Sequence, residues 1–129
     1  MRYLGIDYGT KRIGISISDE AGGFAFPKET IPNDATSIDR IARMIKDERV
    51  GTLVVGDTRA LNGEENPITR EAQSFADALR GHVGIPVESV REAFSSTEAG
   101  RFAPKGKHDD AAAAAIILQR YLDAHQKAE

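Results

Sequence analysis

An α/β fold, with a mixed five-stranded sheet flanked by helices, is the architecture this 129-residue chain predicts. Three observations carry it. Residues 2–18 read as a β-hairpin and lead into a third strand, so the chain opens with an antiparallel meander. Beyond residue 37, stretches of helical periodicity alternate with short apolar runs, the pattern of strands joined by helices. One of those runs, Val50-Gly-Thr-Leu-Val-Val-Gly56, is nearly continuous in apolar character, as a strand covered on both faces must be.

The elements follow in order. Leu4 and Ile6 alternate with smaller or polar neighbours, Tyr8-Gly9-Thr10 turns, and Ile13, Ile15 and Ile17 run back. A polar, glycine-containing turn at 18–23 precedes Phe24–Ile31, a third strand in which Pro27 argues for a sheet edge or a bulge. Pro32-Asn-Asp-Ala-Thr36 offers several helix N-caps, and Ile38, Ile41, Ala42 and Ile45 mark an amphipathic helix over about 37–48. After the Val50–Gly56 strand comes a polar loop, 57–66. Pro67 then starts a helix whose buried face is Ile68, Ala72, Phe75, Ala76 and Leu79, with Gly81 as its stop. Ile85–Val90 forms the last strand, and Ser95-Ser-Thr-Glu98 reads as a capping box for a short helix. The final helix runs from Ala111 to about His125, with Ala112, Ala115, Ile116, Gln119 and Leu122 facing inward. The spatial expectation is three antiparallel strands, then parallel ones, with helices on both faces.

An apolar content of 40% and a charged content of 29% suit a folded domain rather than a disordered chain, and the length suits one core. The absence of cysteine removes disulfides, thiolate zinc sites and cysteine nucleophiles. A carboxylate arrives at Asp7, too early for a secretory signal, and no apolar run is long enough to span a bilayer, so no membrane association and a cytoplasmic location are expected. The net charge of −3 gives no global nucleic-acid signature, which leaves any such role to local arrangement.

Ligands of mixed sheets bind beyond the carboxyl ends of the central strands. Asp7 ends the first strand, Glu92 ends the last, and Asp110 opens the final helix, so all three belong to that rim. Clustered carboxylates repel unless a cation lies between them, and hard oxygen donors suit Mg²⁺ or Mn²⁺. Two such ions about 3.5–4 Å apart activate water and stabilise the leaving oxygen in phosphodiester hydrolysis. Asp57, which also follows a strand, is a fourth candidate, although a turn role suits it as well. Asp110 in a helix's first turn is also a natural N-cap or dipole partner, and Glu92 alone is an ordinary solvated residue. The three acids count through their joint placement. Lys11, Arg12, Arg59, Arg91, Lys105, Lys107 and His108 fall on segments of the same rim and would frame a polyanionic substrate.

Leu4-Gly-Ile-Asp-Tyr-Gly-Thr-Lys-Arg-Ile-Gly-Ile-Ser-Ile-Ser-Asp19 resembles the opening motif of the YqgF family, the RuvC-like nucleases of precursor 16S rRNA. The likeness continues through Pro27-Lys-Glu-Thr-Ile31, Val54-Val-Gly56, Asn62-Gly-Glu64, Lys105-Gly-Lys107 and the run from Asp110 to Asp123. It implies one RNase H-like nuclease domain over 1–129, divalent-metal chemistry with Mg²⁺ or Mn²⁺, and maturation of the 5′ end of 16S rRNA. By motif, the family's catalytic acids fall on Asp7, Glu92 and Asp110. Asp109 competes with Asp110: the distance from Lys105-Gly-Lys107 favours the former, and the helix register favours the latter.

The chain departs from the family where Arg91-Glu-Ala-Phe-Ser-Ser96 replaces Asp-Glu-Arg-Leu-Thr-Thr, and where Gly56-Asp-Thr-Arg-Ala60 replaces Gly-Leu-Pro-Leu-Asn. Three further readings stand beside an RNA nuclease. One is a Holliday-junction resolvase acting on branched DNA, which requires a homodimer. Another is a non-catalytic nucleic-acid-binding factor of ribosome assembly. The last is a phosphotransferase of the actin and sugar-kinase kind, which needs two such domains where this chain has room for one.

Overall fold

The computed structural model describes residues 1–57, 67–91 and 110–127. Five strands, β1 (Arg2–Tyr8), β2 (Arg12–Ser18), β3 (Ala25–Pro32), β4 (Val50–Asp57) and β5 (Val87–Arg91), form one sheet in the order β3-β2-β1-β4-β5. β1–β2 and β2–β3 pair antiparallel, whereas β1–β4 and β4–β5 pair parallel. Three helices accompany it among the described residues: α1 (Ser37–Asp47), α2 (Pro67–His82) and α3 (Asp110–Lys127). The mixed sheet with helices on both faces is the architecture expected from the sequence.

Strand alternation divides the interior in two. Leu4, Ile6, Ile13, Ile15, Leu53 and Val55 turn to one side, where they join Ile41 and Ile45 of α1 and Leu79 of α2 in the larger core. Tyr3, Val54 and Val90 turn to the other side, where Ile117, Leu118, Tyr121 and Leu122 of α3 meet them. β1 and β4, covered on both faces, are central, in keeping with the apolar run of β4.

β3 is an edge strand, as Pro27 predicts, and the β2–β3 register slips beside that proline: Ile15 pairs with Glu29, but Ser16 pairs with Pro27. A residue lacking a backbone donor is tolerated where the ladder is broken or one side is unpaired. The turn before β3 is fastened by Asp19, whose carboxylate accepts from the backbone N–H groups of Gly23 (2.8 Å) and Phe24 (3.2 Å). Those donors, Gly23 first, hold the Asp19 carboxyl below its ordinary range.

Element boundaries differ slightly from expectation. α2 runs through Gly81 to His82, and β5 begins at Val87 rather than Ile85. The larger correction concerns α3. Its fully or nearly fully buried residues are Ala111, Ala113, Ala114, Ile117, Leu118, Tyr121 and Leu122, and of the expected inward face only Leu122 is among them. Five consecutive alanines followed by Ile-Ile-Leu give no phase, because every rotation of the helix presents an apolar stripe. The short helix expected near Ser96 lies outside the described residues.

Candidate active site at the strand tips

α3 sits unusually close to the sheet because β1 and β2 present small residues to it. A Cβ on Gly5 would collide with Ser16 Oγ and lie 2.8 Å from Leu118 Cβ, and one on Gly14 would fall on the Asp110 carbonyl. Asp110, Ala114 and Leu118 thus form the ridge lying over β2 and β1. The fit is metric as well as steric. Four helical residues advance about 6 Å and two strand residues about 6.8 Å, so one ridge stays in step with one strand face. Ser16, fully buried, donates its hydroxyl to the Ala114 carbonyl at 2.8 Å. Further along, Gln119 accepts from Ala25 N–H (2.9 Å) and donates to the Gly23 carbonyl (3.0 Å), tying the helix to the start of β3.

This packing places two of the predicted acids together. Asp7 has the parity of Tyr3 and Gly5 and so belongs to the α3 face, and its cross-strand partner is Gly14. Gly14 is the residue against which Asp110 rests. Asp7 and the first residue of α3 therefore share one face at one tip of the sheet. β4 and β5 end at the same tip: Ile6 pairs with Val55, Gly56 with Val90, and Asp57 with Arg91. Glu92 follows Arg91 directly in sequence but lies outside the described residues, as do Arg59, Lys105, Lys107, His108 and Asp109.

Among the basic candidates, Arg12 has a defined partner. Its Nε donates to Asp110 Oδ2 at 2.9 Å, with the arginine side chain 48% exposed and the carboxylate 23%. Lys11 is exposed in the turn between β1 and β2. That turn is held by Asn33, whose side-chain amide donates to the Gly9 carbonyl (2.8 Å) and whose backbone N–H donates to the Lys11 carbonyl (3.0 Å). Asn33 and Ser16 are positioning residues the sequence reading passed over. Asn33 reads as a helix cap in its loop, and Ser16 as the polar half of an alternating strand. Tyr8 faces the other side of the sheet, its ring 5.2 Å from Phe75, which gives it a packing role there.

The donor chemistry fits a hard divalent cation. Asp7 and Asp110 supply carboxylate oxygens, the ligands Mg²⁺ and Mn²⁺ prefer, and the Arg12 guanidinium already stands as a cation on one of them. Among the described residues no group of three or more His, Cys, Asp or Glu side chains is gathered closely enough to hold a metal ion. Glu92, the third acid expected from the sequence, lies outside the described residues.

A family model described as RuvX, Holliday junction resolvase, matches residues 1–124. The chain belongs to the RuvX family. A Bordetella pertussis relative is 41% identical over 122 residues, spanning 93% of this chain and 92% of its own length. One from Oleidesulfovibrio alaskensis is 39% identical over 134 residues, spanning 95% and 92%. Both are named as candidate pre-16S rRNA nucleases. The Thermus thermophilus RuvC structure superimposes with a TM-score of 0.61 at 16% identity, covering 98% of this chain and 97% of that one. The RuvX-family chain thus has the RNase H-like architecture that the motif resemblance implied. Among its described residues no helix is long and apolar enough to cross a membrane.

Proposed function

We propose that this RuvX-family protein is a divalent-metal-dependent nuclease that hydrolyses phosphodiester bonds in precursor 16S rRNA, acting in the cytoplasm at the 5′ end of that RNA. The observation that carries the reading is the convergence of Asp7 and Asp110 through Gly14 at the carboxyl tips of the central strands. The names of the relatives at about 40% identity support the RNA substrate.

Asp7 and Asp110 would hold Mg²⁺ or Mn²⁺ with Glu92 as the third acid. When bound, the ions would supply an activated water and charge stabilisation of the leaving oxygen. The chain's own contribution is placement. The end of β1 fixes Asp7, and the contact of α3 with Gly14 fixes Asp110. Lys11, on the exposed turn beside Asp7, is suited to hold the substrate's phosphate backbone in register, with Arg59, Arg91, Lys105 and Lys107 extending the contact.

Cleavage of a four-way DNA junction is the second reading, favoured by the description of the matching family model. It requires two copies of the chain to present two sites to one junction. A single assay separates the readings: a precursor 16S rRNA fragment, single-stranded DNA and a four-way junction are each incubated with Mn²⁺ or Mg²⁺, using the wild type and Asp7→Asn. Metal-dependent RNA cleavage is expected, reduced at least about 100-fold by the substitution, the scale of losing one essential electrostatic group. Junction cleavage without RNA cleavage would transfer the assignment to branched DNA. Binding without turnover under either ion would leave a nucleic-acid-binding factor.

A further inference from the structure

Arg12 opens β2 and Asp110 opens α3, and their ion pair lies directly on the proposed metal-binding carboxylate. The two partners are held very differently. Asp110 is fixed at its backbone by the close seat against Gly14, and its side chain is 23% exposed. Arg12 is twice as exposed, at 48%, and the cation forms the solvent-side half of the pair. The turn behind Arg12 is clasped by Asn33, so a change of partner by Arg12 requires rotation of its side chain only.

As a strut for α3 the pair is redundant. The helix is already fastened by the Ser16 bond to Ala114, by both bonds of Gln119 to the β3 side, and by the packing of Leu118 on Gly5. Its position is informative for a different reason. A guanidinium and a divalent ion are both cations, and both draw on the single negative charge of Asp110, so an ion on this carboxylate would meet a like charge already bonded to Oδ2. Turning the half-exposed arginine away relieves that repulsion at small cost.

We propose that Arg12 is an exchangeable cation. It neutralises Asp110 while no metal is bound, and metal loading turns it outward to grip a substrate phosphate. The inference rests on the reading of Asp110 as a metal ligand and deepens it. A guanidinium is suited to both partners, because its planar fork matches carboxylate and phosphate alike. The exchange makes metal and nucleic acid bind cooperatively, since the ion releases the residue that the nucleic acid needs, and such coupling is reciprocal. Arg12 then acts as a positioning residue for the ion and as a contact for the substrate.

The test is Mn²⁺ titration of the full chain, with free Mn²⁺ read by electron paramagnetic resonance, for the wild type, Arg12→Gln, Arg12→Lys and Asp110→Asn. Exposed ion pairs are weak, so Arg12→Gln is expected to tighten Mn²⁺ binding by about two- to fivefold. Arg12→Lys, which keeps the charge, should return it toward the wild-type value, and Asp110→Asn should weaken it at least tenfold. In a second readout, a fluorescein-labelled single-stranded RNA should bind the wild type more tightly in Ca²⁺ than in EDTA. Arg12→Gln should shrink that difference by a similar factor.

Unchanged or weaker Mn²⁺ binding by Arg12→Gln, with the protein folded by circular dichroism, would overturn the exchange and make Arg12 a simple strut, leaving the metal site standing. Failure of wild type and Arg12→Gln alike to bind Mn²⁺ would overturn the metal reading itself, and the exchange with it.

Discussion

The two faces of the sheet are built on different principles. The face toward α1 and α2 is a conventional aliphatic interior, in which Leu4, Ile6, Ile13, Ile15 and Leu53 are each fully buried. The face toward α3 is assembled from Gly5, Gly14, Ser16 and an alanine-rich helix start, with Ile117, Leu118, Tyr121 and Leu122 supplying apolar bulk farther along. Large side chains hold elements together but tolerate small shifts, because interdigitating branched groups can repack. Glycine-to-backbone contact and a buried hydroxyl-to-carbonyl bond leave little such slack, because backbone atoms and a side chain with a single heavy-atom torsion set the distance. The first face supplies stability, and the second fixes where Asp110 stands relative to Asp7. The proposed site, which depends on two acids sharing one tip, needs the second kind of face.

The division is sharpest if a core truncation changes stability alone. Leu53→Ala removes a fully buried side chain from the centre of β4 and should cost about 2–5 kcal/mol in chemical denaturation. At a temperature where the variant remains folded, cleavage per folded molecule should match the wild type. A large loss of rate in fully folded Leu53→Ala protein would break the separation of roles.

Gly14→Ala probes the other face with a single added methyl group. Its Cβ would fall on the Asp110 carbonyl, so the first turn of α3 must move away from β2. Overpacking of this kind costs about 1–3 kcal/mol, less than the Leu53 truncation. The effect on Mn²⁺ affinity and cleavage should nevertheless be the larger of the two, because Asp110 travels with its helix turn. Denaturation and Mn²⁺ titration of the two variants side by side would show opposite rank orders for stability and metal binding. The same rank order in both would mean that the faces do not differ.

Much of the first face was legible in the sequence, and the second only at its ends. Ile38, Ile41, Ala42 and Ile45 announce α1 through their periodicity, and the apolar run of β4 announces a doubly covered strand, because each signal comes from residues close in sequence. Pro27 likewise pointed to an edge or a bulge, and β3 has both the edge position and a register slip. Asp7 and Asp110 were legible as a pair because strand ends and a helix start mark positions on a rim. The rotation of α3 was not. An alanine run carries no phase of its own, and the phase is set by Gly5, Gly14 and Ser16, about a hundred residues away, as shown by the Ser16–Ala114 bond across 98 positions. The Arg12–Asp110 pair spans the same distance. Asn33 was hidden for a related reason: its partner Gly9 lies 24 positions earlier, in the β1–β2 turn.

The smallest expected effect tests whether hydrogen bonds at the far end of α3 also serve the site. Gln119 bridges Ala25 N–H and the Gly23 carbonyl on the β3 side, and its side-chain amide also reaches Asp123 Oδ1 at 3.0 Å. Gln119→Ala would leave the β3 groups to water, since this edge is only partly buried, and should cost about 0.5–1.5 kcal/mol in denaturation. The helix start lies more than two turns away and keeps its seat on Gly14, so Mn²⁺ affinity and cleavage should stay within about twofold of wild type. A tenfold fall in metal affinity would show that α3 responds as one rigid lever. Placement of Asp110 would then be spread along the whole helix rather than set by the glycine contact at its first turn.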